Sequence, residues 1–96
     1  MTQANIDKIK TIAIPILKEA GVTRSALFGS YVRGEQTDKS DIDMLVEYPK
    51  GTTLFDVVDL QDKLEEAFGK KVDLVSYKTI KPRLKQYILA EQIPIL

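Results

Sequence analysis

Apolar and polar residues alternate along this chain in two rhythms, one helical and one extended. Near the start, Ile6, Ile9, Ala13, Ile16, Leu17 and Ala20 recur at helical spacing, with Asn5 placed to cap the helix and Gly21 to stop it. Pro15 falls inside that stripe and removes one backbone hydrogen bond, which predicts a helix either kinked or split in two. Val22 to Phe28 reads as a lead-in and a short strand that ends at Gly29. From Asp41 the period becomes two: Ile42, Met44, Val46 and Tyr48 share one face, while Asp41, Asp43, Leu45 and Glu47 share the other.

After Pro49-Lys50-Gly51 the helical rhythm returns. Thr53 suits an N-cap with Asp56 as its capping-box partner, Leu54, Val57, Val58, Leu64 and Phe68 make the apolar stripe, and Gly69 closes the helix. Val72 to Ser76, VDLVS, is a second short strand. The order strand, helix, strand is a βαβ unit, so these two strands should run parallel as neighbours or nearly so. A last helix is marked by Ile80, Leu84, Tyr87 and Ile88, with Pro82 in its first turn. The closing IPIL either folds back onto the core or meets another chain. The expected class is α/β, a small mixed three-stranded sheet with helices packed against it.

Composition narrows the chemistry. The 96 residues suit one domain, residues 1–96, and 44% hydrophobic with 29% charged residues is the balance of a soluble globular chain. No apolar run approaches the roughly 20 residues of a membrane span, and the N-terminus lacks a signal-peptide core, so a cytoplasmic protein is expected. Cysteine and histidine are both absent, which excludes disulfides, thiolate chemistry and imidazole as base or metal ligand. Chemistry must rest on carboxylates, hydroxyls, Lys, Arg and backbone N–H groups, and a bound metal would be a hard ion such as magnesium. Zero net charge gives no global reason to expect nucleic acid as a partner. The charge is nonetheless segregated: residues 35–69 carry net −7, between flanks of +3 and +4. That pattern suits a metal site with phosphate-binding cations nearby, but charge alone favours the plainer reading of an acidic helix face among scattered lysines.

One segment concentrates the candidate residues. Asp41 and Asp43 project together from one face of a strand, and two charges 4 Å apart repel by about 4 kcal/mol at an effective dielectric near 20. Asp73 interrupts the apolar run of the next strand, so three carboxylates converge if the strands are neighbours. Magnesium would relieve them, and they with waters and phosphate oxygens would fill one or two octahedral shells. Upstream, Gly29-Ser30 follows a strand and precedes YVRG, a possible helical turn whose N–H groups favour an anion; Arg33 lies one turn on, within reach of a phosphate. With eight aspartates a lone D-x-D is nearly a chance event, but Gly-Ser at a set distance upstream is not.

These residues resemble the nucleotidyltransferase superfamily that includes polymerase beta, whose signature is Gly-Ser, about ten residues, then Asp-x-Asp. Here it reads GSYVRGEQTDKSDID, with ten residues between Ser30 and Asp41. LFGSYVRGE and SDIDMLVEY look like the minimal nucleotidyltransferase branch, and Val32 stands where that branch often has alanine. The resemblance implies that Gly29 and Ser30 hold the triphosphate, that Asp41 and Asp43 bind two magnesium ions, and that Asp73 is the third carboxylate, helping to activate the attacking hydroxyl. It implies ATP as substrate and, as partner in a hetero-oligomer, a HEPN-domain toxin that receives AMP on a tyrosine, with this chain as antitoxin. Two alternatives remain at this level: a non-catalytic subunit that masks its partner by contact, and a transferase for a small hydroxylated acceptor.

Overall fold

The computed structural model describes residues 3–29, 32, 34 and 40–96, with residues 3 and 4 described by their backbone. Helix α1 spans Gln3–Glu19 and strand β1 spans Arg24–Phe28. Strand β2 (Ile42–Glu47), helix α2 (Leu54–Phe68) and strand β3 (Val72–Ser76) follow, then helix α3 (Pro82–Glu91) and the two-residue strand β4 (Ile93–Pro94).

Helix α1 runs unbroken through Pro15, and it begins two residues ahead of Asn5, so Asn5 sits within the first turn and is not the cap. Pro15 lies on the exposed side, where its ring meets water, while Ala13 and Leu17 on the inward side are fully buried and hold the helix to the sheet. Helix α2 starts as the sequence implied: Thr53 accepts from the Asp56 amide at 3.3 Å, and the Asp56 carboxylate accepts from the Thr53 amide at 2.9 Å. Its inward face differs from the expected stripe. Leu60, Leu64 and Phe68 turn toward the core, whereas Val57 is half-buried beside a cleft, Leu54 is 78% exposed and Val58 is also exposed. In α3, Pro82 occupies the first turn, but Leu84 and Tyr87 face solvent, and the packing falls to Ile88 and Leu89 with Ile80 just before the helix.

The sheet has four strands in the order β3-β2-β1-β4, one more than expected. Strands β2 and β3 are parallel neighbours joined by α2, as the βαβ reading requires, and β1 runs antiparallel to both β2 and β4. The additional strand comes from the closing tail, which folds back: Ile93 pairs with Leu27, Pro94 pairs with Ala26, and the Ile95 amide donates to the Ser25 carbonyl at 2.9 Å. At the opposite side of the sheet, the Val72 amide donates to Glu65 Oε2 at 2.9 Å and the Val72 carbonyl accepts from Gln61 Nε2 at 2.8 Å, both groups coming from α2.

Alternation along the strands creates two cores. Leu27, Ile42, Met44, Val46 and Val72 face α1 and α2 and pack with Ile9, Leu17, Leu60 and Leu64. Full burial of each such side chain stabilises the fold by about 1.5–3 kcal/mol. On the other face, Ala26 and Leu45 pack with Ile80, Phe28, Val75, Ile88 and Leu89. That second face is covered by the single short helix α3, and its uncovered margin carries the acidic residues.

Candidate active site

Strand β1 ends at Phe28, which lies opposite Asp43 in β2. The next residue, Gly29, is buried and has φ +81°, a conformation that side-chain-bearing residues rarely adopt. It also stands against Asp43. A Cβ at position 29 would meet the Asp43 carboxylate oxygen Oδ2, with the carboxyl carbon only 3.1 Å away. Glycine is therefore required twice, for the backbone angle and for the contact. The Val32 amide donates to the Gly29 carbonyl at 3.1 Å, closing a tight turn immediately after the strand. Ser30 and Arg33, both expected on phosphate, lie outside the described residues.

The parallel pairing places Asp43 and Asp73 directly across from each other. Paired residues of parallel strands project to the same side, and neighbouring strands lie about 4.8 Å apart, so these carboxylates are side by side on the α3 face. Both are half-buried. Asp41 sits just ahead of β2, also half-buried, at a spacing of two from Asp43. The bond from the Ile42 amide to the Lys71 carbonyl, 3.0 Å, extends the β2–β3 pairing to the residue after Asp41. Among the described residues, no three acidic side chains close into a group tight enough to hold one ion. The rigid part of the constellation is thus the Asp43–Asp73 pair, with Asp41 at its mouth. In donor chemistry these carboxylate oxygens, half-open to solvent beside a glycine turn, fit a hard divalent cation.

One participant was not visible in the sequence pattern. Glu91, the last residue of α3, accepts a hydrogen bond from the Gly29 amide at 3.4 Å on Oε1. The register explains its place: Ile93 faces Leu27, and two residues before Ile93 and two after Leu27 the chain brings Glu91, at the end of α3, beside Gly29, just past β1. A reading that paired the IPIL tail with β1 would have found it.

The far end of β2 has different features. Clefts of about 360 and 710 Å³ flank the segment Tyr48–Thr52 and contain none of the expected site residues. On the α3 face, the Arg24 guanidinium lies 4.2 Å from the centre of the Tyr77 ring. Burial raises the Tyr77 phenol above its usual pKa, against the opposing pull of Arg24.

Similarity to known proteins agrees with this geometry. The family described as Polymerase beta, Nucleotidyltransferase matches residues 8–96. A Methanocaldococcus jannaschii protein named as a "putative protein adenylyltransferase" is 50% identical over 96% of this chain and 99% of its own. Protein adenylyltransferase MntA of Thermococcus cleftensis is 35% identical over 97% of this chain and 95% of its own. Among solved structures, a toxin–antitoxin complex with AMP-PNP contains a chain of similar fold, TM-score 0.78 at 27% identity, matching 91% of this chain and 72% of that one. The chain accordingly belongs to the polymerase beta nucleotidyltransferase family, in its minimal branch, and is a nucleotidyltransferase.

Proposed function

We propose that this protein is a magnesium-dependent adenylyltransferase acting on a protein. It moves AMP from ATP to a tyrosine hydroxyl of a HEPN-domain toxin, and so serves in the cytoplasm as that toxin's antitoxin. The tyrosine oxygen forms a bond to the α-phosphorus, the bond from that phosphorus to the bridging oxygen breaks, and pyrophosphate departs. Asp73 takes the proton that the tyrosine loses. Gly29 and Ser30 seat the phosphate tail, Arg33 adds a positive charge to it, and Asp41, Asp43 and Asp73 supply the carboxylates that would hold magnesium. When bound, magnesium neutralises charge on the attacking and departing oxygens. The protein's own contribution is placement of the groups in a preset geometry.

The observation that carries this reading is the alignment of Asp43 with Asp73 while Gly29 abuts Asp43. It brings a phosphate-compatible turn and paired metal-compatible carboxylates to one sheet margin. Further support comes from the relative named as a protein adenylyltransferase and from the similar chain in a toxin–antitoxin complex with AMP-PNP. The test is incubation with magnesium, α-labelled ATP and the HEPN-type polypeptide that co-purifies with this chain. Label should move to a tyrosine of that polypeptide, and Asp43→Ala should stop it. Absence of label, with the toxin still neutralised by Asp43→Ala, would instead establish an antitoxin that works by contact.

A further inference from the structure

We propose that Glu91 is an internal stand-in for phosphate. Its carboxylate holds the Gly29 amide before nucleotide binds and releases it when a nucleoside triphosphate arrives. This rests on the nucleotide reading of the Gly29 turn given above.

The contact follows from the fold rather than from local sequence. Ile88 and Leu89 anchor α3 on the sheet, and the pairing of Ile93 with Leu27 fixes where the helix ends. Glu91 is thereby delivered to the end of β1, where its Oε1 lies 3.4 Å from the Gly29 nitrogen. A carboxylate oxygen and a phosphate oxygen are the same kind of acceptor for a backbone N–H. At 3.4 Å the bond is at the long limit of the hydrogen-bond range, so it is readily exchanged. Glutamate also has three side-chain torsions, so its carboxylate can leave without any movement of the helix.

Charge gives the exchange its direction. Asp43 already packs against Gly29, and Glu91 brings a second carboxylate to the same residue. A triphosphate adds negative charge at that point, so Glu91 both competes with it for the amide and repels it. Glu91 therefore sets how tightly nucleotide is held, acting through Gly29 without taking part in the chemistry.

The experiment compares the full chain with Glu91→Gln and Glu91→Ala, measuring ATP binding in magnesium by calorimetry and following the Gly29 amide signal by NMR. Both variants should bind ATP more tightly, by roughly three- to tenfold, because each removes the competing charge. The Gly29 signals of wild type and Glu91→Ala should differ without nucleotide and coincide at saturation. A purely structural Glu91 predicts the opposite pattern, weaker binding for Glu91→Ala and none of the gain for Glu91→Gln, and that result would overturn the proposal. Gly29 signals that still differ at saturation would overturn it too. If wild type and both variants all fail to bind ATP with magnesium, the nucleotide reading itself falls and this one with it. Equal binding by all three leaves that reading standing and removes only the role of Glu91.

Discussion

Gly29 and Asp43 touch across the β1–β2 pair: a methyl group added to the glycine would stand 3.1 Å from the carboxyl carbon of Asp43 and 3.3 Å from its Cβ. With φ at +81°, the backbone there also resists any side chain. Gly29→Ala should cost about 1–3 kcal/mol of stability in urea unfolding. It should also abolish ATP binding, because the carboxylate and the turn can no longer both keep their places. Adding Asp43→Ala should recover part of the stability and none of the binding.

The paired aspartates give a prediction of opposite sign. Like charges directly opposite on neighbouring strands are destabilising. Without magnesium, Asp73→Asn should therefore hold or raise the thermal midpoint while eliminating label transfer from ATP. A clear fall in the metal-free midpoint would contradict the side-by-side arrangement of Asp43 and Asp73.

Thr53 offers a control away from the site. Its capping box satisfies two backbone groups at the start of α2, at 3.3 and 2.9 Å. Thr53→Ala should lower stability by about 0.5–2 kcal/mol, measured by urea unfolding, with AMP transfer unaffected at temperatures where the protein is folded.

The tail can be tested through Ile95, which is 7% exposed and packs in the core facing α1 and α2. Ile95→Ala should cost about 2–5 kcal/mol. Amide exchange should show the loss first at Ser25, whose backbone is bonded to both Ile95 and Leu96.

Two tyrosines predict an alkaline limit. Burial raises the pKa of Tyr48, and burial together with Glu47 outweighs Arg24 in raising that of Tyr77. The folded state thus keeps these phenolic protons to higher pH than the unfolded chain, which binds fewer protons above its own pKa near 10. Their contribution is complete below about pH 10 and declines above it as pH approaches the folded-state values. Thermal midpoints measured from pH 8 to pH 11 should fall at the top of the range, and the Tyr48→Phe and Tyr77→Phe variants should fall less steeply.

Local signals were legible in the sequence and long-range ones were not. The Thr53–Asp56 box, the alternation through β2 and the parallel pairing of β2 with β3 each follow from a short-range rule, and each is present. The inward face of α2 was misassigned because Leu54, Phe55, Val57 and Val58 crowd its first turn and offer overlapping helical phases. Contact with α1 and the sheet decides in favour of Leu60, Leu64 and Phe68. The fourth strand is two residues long and contains a proline, too little for a period-two pattern to register. Glu91 was invisible for the same reason, since its place depends on where that strand pairs.

The engagement of Val72 by Gln61 and Glu65 has a consequence for assembly. A foreign strand that approached β3 at that residue would find its donor and acceptor already taken, and one that approached β4 would meet Pro94, which has no N–H to give. Growth of the sheet from chain to chain is thus discouraged at these two points on its borders. At those points a partner would have to be recognised by side chains, in shape and charge, rather than by backbone pairing.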